Sequence, residues 1–332
     1  MKKMINGVDN IVDEMLNGMT AAFPSAIGRV PGTDVIVRTG AKKTDKVVLI
    51  SGGGSGHEPA HGGYVGRGML DAAVAGAVFT SPTPDQVYEA IQATECGKGA
   101  LLIIKNYTGD VMNFEMAADM ASDEDITVDR VIVADDVAVE DSTYTTGRRG
   151  IAGTVFVHKI AGACAETGAD LPEVKRVAEK VIANVRSMGM AVSPCTVPAV
   201  GVPGFDLAED EVEIGIGIHG EPGTHREKIS PVRETVDHLV GKILDEGIYA
   251  EGDEVAVMVN GMGATPLSEL FLASLRVNEI LTGKKIRIAK TLVGNYMTSL
   301  DMAGFSVTLL KLDEELKGYL NAPADTPAYK EL

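Results

Sequence analysis

Two glycine-flanked histidines, far apart in the chain, are the residues best suited to chemistry. His219 stands in the run Ile216-Gly217-Ile218-His219-Gly220-Glu221-Pro222-Gly223, and His57 follows Ser51-Gly52-Gly53-Gly54-Ser55-Gly56. A lone loop histidine is more often solvated or hydrogen-bonded than catalytic. Two of them in different halves suggest one small-molecule site built from distant segments. Neutral imidazole is a competent nucleophile toward a reactive ketone once a partner orients its other nitrogen. At His219 that addition gives a reversible hemiaminal and excludes polyols that lack a carbonyl. Glu221, two residues on, is the candidate orienting group by proximity.

A third segment, Lys105-Asn106-Tyr107-Thr108-Gly109-Asp110, follows a strongly apolar run. A carboxylate at a helix start is either a cap or first-turn charge or a general base. As a base, with His57 nearby, Asp110 would take the proton of a primary alcohol as that oxygen attacks a phosphoryl group. The glycine run is no phosphate-cradling loop, because His57 and Glu58 stand where Lys-Ser/Thr is needed. Its backbone N–H groups are expected to meet the hydroxyls of a compact polar ligand. Asp135, Asp136, Glu140 and Asp141 match no metal-loop spacing. No metal site is assigned, and the cluster reads as solvated surface or subunit contact. Arg148 and Arg149 read as surface-paired or as contacts for phosphate or a partner. His61, His158, His225 and His238 receive no role.

The elements that carry these residues alternate short apolar runs with amphipathic helices, which is an α/β pattern. Val47–Ile50, Leu101–Ile104, Val131–Ala134 and Val255–Val259 suit strands covered on both faces. Thr83-Pro84-Asp85-Gln86 is a capping box with Pro at the first helical position, and Asp170 caps a second amphipathic helix. Ile11, Val12, Met15, Leu16 and Met19 predict an N-terminal helix. The second half repeats the alternation, with a strand over 212–218 that sets His219 opposite its isoleucines. Several strands end in polar residues, and strand carboxyl ends form the ligand crevice of open α/β sheets. The proline- and glycine-rich stretch Gly189–Glu211 reads as a crossover between domains. The expected architecture is two α/β domains, each a central sheet flanked by helices. Residues 1–188 would carry the glycine loop, Lys105 and Asp110, and residues 189–332 the candidate hemiaminal histidine.

Length and composition agree. A chain of 332 residues exceeds the usual single-core size, so two domains are expected. A net charge of −17 disfavours nucleic acid as a partner, because a phosphate backbone would meet repulsion. No apolar run is long enough to span a bilayer. The opening Met1-Lys2-Lys3-Met4-Ile5-Asn6-Gly7 breaks any signal-peptide core. Cys96, Cys164 and Cys195 show no paired spacing, as expected of free thiols in the cytoplasm.

Read together, SGGGSGHEPAHGGYVGRGML, FTSPTPDQ, IKNYTGDVMNFE, DDVAVEDS, GRRGIAGT, IHGEPG, NGMGATPLSEL and TSLDMAGFS are similar to the dihydroxyacetone-binding subunits of bacterial dihydroxyacetone kinases. The resemblance runs from about residue 1 to about residue 330. It implies a homodimer of two-domain α/β chains that holds dihydroxyacetone covalently on a histidine. Carried onto this sequence, Gly54, Ser55, Gly56, His57, Lys105 and Asp110 would line the site. His57 would act as acid/base, and His219 would form the hemiaminal. ATP-dependent relatives carry a nucleotide-binding domain on the same chain, and none is recognisable here. The form implied is therefore the one served by the phosphoenolpyruvate phosphotransferase system. In it a separate nucleotide-binding kinase subunit holds ADP and Mg2+ and is rephosphorylated by a phosphocarrier protein, so this chain binds no cofactor itself. The alternative is a dihydroxyacetone-sensing coactivator of a transcription regulator. A binder of fatty acids or other apolar ligands is a third reading, disfavoured by the polar glycine run.

Overall fold

The computed structural model describes residues 2–39, 45–140 and 146–332. The first half runs α1 (Ile11–Ala22), β1 (Ile27–Arg29), β2 (Val35–Arg38), β3 (Val48–Ser55), β4 (Ala72–Val78), α2 (Pro84–Thr94), β5 (Ala100–Lys105), α3 (Thr108–Ser122), β6 (Val128–Val133), α4 (Thr154–Glu166) and α5 (Leu171–Asn184). The second continues with β7 (Val185–Ser193), β8 (Glu211–Ile214), β9 (His225–Lys228), α6 (Val232–Leu244), β10 (Glu254–Gly261), α7 (Leu267–Gly283), β11 (Arg287–Gly294), β12 (Ala303–Leu312) and α8 (Glu314–Leu320). A short hairpin, β13 (Ala324–Asp325) and β14 (Lys330–Glu331), closes it.

The first sheet has the order β1-β2-β4-β3-β5-β6, with β4, β3, β5 and β6 parallel. Its central strands are buried on both faces, and their side chains part by the two-residue period. Leu49, Leu101 and Ile103 pack with α4 and α5, while Val48, Ile50, Leu102 and Ile104 pack with α2 and α3. The period thus sends Lys105 to the α4 side. The expected helix starts are present. Thr83 and Gln86 form the capping box of α2, and Asp170 accepts the Glu173 N–H at 3.0 Å to open α5.

The second sheet runs β11-β10-β12-β7-β8-β9. Only β10 and β11 pair in parallel; the other four pairs are antiparallel, so the second half does not simply repeat the first. One face packs on α6 and α7. The opposite face sends Ala256, Met258, Leu310 and Leu312 into the cluster that also holds α4 and α5. Those helices therefore lie between the sheets, and a single apolar layer fixes one sheet against the other. β7 runs through positions 188 and 189 as one strand, and the irregular stretch begins only after Ser193.

Two local expectations change. The glycine run is strand, not loop: β3 extends to Ser55, and its register with β4 continues to Ser55 opposite Val78. Its backbone is therefore built into a sheet. The glycines answer close approach: a Cβ on Gly54 would lie 2.5 Å from the Thr80 nitrogen. The strand carrying the second histidine is shorter than expected. β8 ends at Ile214, where Gly215 takes φ +75°, and His219 lies in the turn that follows.

Candidate functional site

The carboxyl ends of β3, β4 and β5 meet the turn after β8 at a cleft of about 740 Å³. Gly54, Phe79, Ser81, Tyr107, Asp110, Phe205, His219 and Glu221 are among its lining residues. The register of β3 with β5 stops at Ser51 opposite Ile103, so the two strands part where the cleft begins.

His219 is held from one side by Glu221. Oε1 lies 2.8 Å from His219 Nδ1, and Oε2 accepts the His219 backbone N–H at 2.9 Å. In the neutral ring this places the proton on Nδ1 and leaves the lone pair on Nε2. Burial opposes ionisation of Glu221, but the adjacent His219 and Arg149 outweigh it and hold the carboxyl at about 2. Glu221 therefore stays a carboxylate across the working range. Gly217 is required by this arrangement, because a Cβ there would lie 1.9 Å from Glu221 Oε2.

His57 is fully buried behind His219, with ring centroids 4.7 Å apart and the planes nearly perpendicular. Phe79 stacks on His57 at 5.2 Å and meets His219 edge-on, while Tyr107 meets His219 edge-on at 4.6 Å. His57 Nδ1 lies 2.8 Å from the Thr298 carbonyl oxygen, an acceptor, so Nδ1 carries the proton. Nε2 is then a lone-pair acceptor, buried and without a hydrogen-bond partner among the described residues. Burial, then the charges of His219 and Lys105, hold this imidazole well below its ordinary range. Asn260 supports the arrangement from β10. Its Oδ1 accepts the N–H groups of Tyr296 and Met297, and its Nδ2 donates to the Met297 carbonyl, which fixes the segment that presents Thr298.

Asp110 sits in the first turn of α3 and is almost completely buried. Ser81 Oγ donates to Oδ1 at 2.5 Å, and Lys105 Nζ donates to Oδ2 at 3.3 Å. Lys105 is fully buried and also donates to the Gly52 carbonyl at 3.1 Å. Of the residues singled out from the sequence, Gly54, Asp110 and His219 line the cleft, while His57 and Lys105 stand immediately behind it. Ser55 and Gly56 are already engaged: the Ser55 hydroxyl donates to the Gly76 carbonyl at 2.7 Å, and the Gly56 N–H donates to Glu58 at 3.0 Å.

The acidic cluster is not surface. Asp135 and Asp136 are buried, and only Glu140 is exposed; Asp141 lies outside the described residues. Asp135 accepts the N–H groups of Ile151 and Gly153, at 2.7 and 2.8 Å. Asp136 pairs with Arg149 at 2.6 Å. Arg149 is itself fully buried and donates to the Gly215 carbonyl at 2.6 Å, bracing the turn that carries His219. Arg148 is paired nearer the surface with Glu246. Charge runs look solvated in a sequence because their partners, here backbone N–H groups and an arginine, are remote or unmarked. Phe79, Ser81, Tyr107, Asn260 and Thr298 were likewise invisible as site residues, although each falls just beyond the end of an apolar run or inside a quoted motif.

A family model described as the Dak1 domain matches residues 17–328. The chain is 59% identical to the PTS-dependent dihydroxyacetone kinase 1, dihydroxyacetone-binding subunit DhaK, of Listeria innocua, over 99% of this chain and 100% of that protein. The solved structure of the dihydroxyacetone kinase operon co-activator Dha-DhaQ is similar with a TM-score of 0.90 and 38% identity, covering 96% of this chain and 98% of that one. The dihydroxyacetone kinase of C. freundii in its native form gives a TM-score of 0.90 at 36% identity, over 99% of this chain and 60% of the longer one. On this evidence of sequence and fold together, the chain belongs to the Dak1 domain family.

Proposed function

We propose that this chain is the dihydroxyacetone-binding subunit of a phosphotransferase-system-dependent dihydroxyacetone kinase, a phosphotransferase with an alcohol acceptor. The carrying observation is the His219–Glu221 pair on the cleft wall, 4.7 Å ring-to-ring from a histidine whose Nε2 has no partner among the described residues. His219 Nε2 adds to the ketone carbon, the C–N bond forms, and the carbonyl π pair moves to oxygen, which takes a proton from solvent. Glu221 faces the positive charge left on the ring until the Nδ1 proton departs. The bound ketone then reacts within one complex, which removes the entropy cost of a second encounter.

A terminal hydroxyl of the captured substrate donates to His57 Nε2. As its oxygen attacks phosphorus, the bond from phosphorus to the ADP oxygen breaks and the hydroxyl proton passes to His57, with Asp110 sharing the proton traffic. Release of the hemiaminal returns dihydroxyacetone phosphate. ADP and Mg2+ belong to a separate kinase subunit rephosphorylated by a phosphocarrier protein; in support, the Listeria innocua relative matched over 100% of its length is a PTS-dependent dihydroxyacetone-binding subunit. We place the protein in the cytoplasm as a homodimer of chains with an N-terminal and a C-terminal α/β domain. Cys96, Cys164 and Cys195 form no disulfide among the described residues, and no helix among them is long and apolar enough to cross a membrane. Leu267, Phe271 and Leu275 leave an exposed apolar stripe on α7 suited to a subunit contact.

The second reading, a ligand-sensing coactivator, is favoured by the likeness to the Dha-DhaQ co-activator. His57 and Asp110 weigh against it, because sensing needs no proton-transfer groups. The test is reconstitution. The purified chain with ATP, Mg2+ and dihydroxyacetone is expected to form no dihydroxyacetone phosphate, and addition of the ADP-carrying subunit with a phosphorylated phosphocarrier is expected to start turnover. Turnover with ATP alone would remove the two-component reading. Ligand capture without transfer in the full mixture would assign the coactivator role instead.

A further inference from the structure

Behind Lys105 lie two histidines that the proposed reaction does not use. His61 follows β3, and His158 projects from the middle of α4; both are buried. His61 Nε2 is 3.1 Å from Lys105 Nζ, and His61 Nδ1 is 2.9 Å from His158 Nε2. The rings meet edge-on at 5.2 Å. An ammonium has three N–H donors and no acceptor. Lys105 meets three acceptors: the Gly52 carbonyl, Asp110 Oδ2 and His61 Nε2.

Those contacts fix every proton along the row. Facing an ammonium, His61 Nε2 must present its lone pair, so its proton is on Nδ1 and is donated to His158 Nε2. The proton of His158 is therefore on Nδ1, which is a buried atom without a partner among the described residues. The Ser51 hydroxyl, 3.5 Å from His61 Nδ1, cannot reverse this direction, because it donates to the Ile103 carbonyl at 2.7 Å. Burial, then the Lys105 charge, keeps both imidazoles from protonating; His158 is pushed down to about 3. The donated hydrogen bonds run one way, from Lys105 through His61 to His158.

We infer that His61 and His158 are positioning residues for the kinase reaction, a fixed-tautomer pair that completes the acceptor set of Lys105 and holds its ammonium against Asp110. The sequence offers no hint of this, because the contributing residues lie on three separate elements. The inference rests on the proposed function for its catalytic consequence but not for its geometry. Without the His61 acceptor, Lys105 keeps a buried N–H unsatisfied and turns to find a partner, so Asp110 loses its fixed neighbour. Misplacement of a reacting group by about 1 Å costs on the order of 10²-fold in rate.

The test has two parts. In protein labelled with ¹⁵N in its histidines, ring correlations are expected to show His61 and His158 both protonated at Nδ1 and bare at Nε2. The opposite tautomer at His61, or an exchanging mixture, would overturn the inference even if the protein phosphorylated nothing. In the reconstituted kinase, His61→Gln places an amide oxygen near the Nε2 position, whereas His61→Asn reaches only the Nδ1 position. Asn is expected to lower kcat by about 10²-fold with capture of dihydroxyacetone by His219 unchanged, and Gln to recover at least about tenfold of that loss. Equal activity of the two variants would show that the Nε2 acceptor does not matter, and the inference would fall.

Discussion

Asp110→Asn is expected to lower phosphoryl transfer by about 10²- to 10⁴-fold, the usual contribution of a positioned acid or base, while capture of the ketone persists. Asparagine keeps the size of the side chain and an oxygen to accept from Ser81, which lies 2.5 Å from Oδ1. It loses the negative charge opposite Lys105 and the capacity to hold a proton. Because His219 and Glu221 sit on a different segment, the hemiaminal should form as before. His57→Ala is expected to act in the same direction, since it removes the lone pair that receives the hydroxyl proton. Rates of dihydroxyacetone phosphate formation, set against ligand capture measured on the same samples, separate the two functions. Loss of capture in parallel with transfer would mean that Asp110 shapes the binding site and is not a proton-transfer group.

The second large effect is on stability. Arg149→Met is expected to destabilise the protein by about 3–5 kcal/mol, because breaking a buried ion pair leaves the remaining charge uncompensated. Asp136 would then be buried without the guanidinium that lies 2.6 Å away, and the Gly215 carbonyl would lose its donor. Urea unfolding of wild type, Arg149→Met and the double variant Arg149→Met/Asp136→Leu checks this. The double variant should regain a substantial part of the loss, as coupled partners do. A loss of less than about 1 kcal/mol in the single variant would place the pair among weakly contributing surface bridges. The consequence reaches the site, since Arg149 braces the turn from Gly215 to Pro222 that carries His219.

How much of this was legible in the sequence depends on the range of the interaction concerned. Strands β3, β5 and β10 and the helix starts at Thr83 and Asp170 were readable because periodicity and capping are local. The convergence of strand ends on one cleft followed from α/β geometry, and Glu221 was found because it stands two residues from His219. Pairing partners were not readable. Nothing local says that β12 returns antiparallel between β10 and β7, or that α4 and α5 lie between two sheets. The burial of Asp135, Asp136 and Arg149 depends on contacts between residues 13 to 66 positions apart in sequence. Thr298 meets His57 across 241 positions, and only the folded chain brings a plain backbone carbonyl to that ring. Gly215 misled in the other direction: the alternation of isoleucine and glycine looks like strand, and a left-handed φ turns it into the loop that His219 needs.

The central claim is covalent capture on His219, and carbon NMR tests it directly. Dihydroxyacetone labelled at its carbonyl carbon is mixed with the wild-type protein and, separately, with His219→Ala. The account predicts that the carbonyl resonance is replaced by a saturated-carbon resonance with wild type only. A carbonyl signal that survives stoichiometric wild-type protein, or one that is converted equally by His219→Ala, would contradict it.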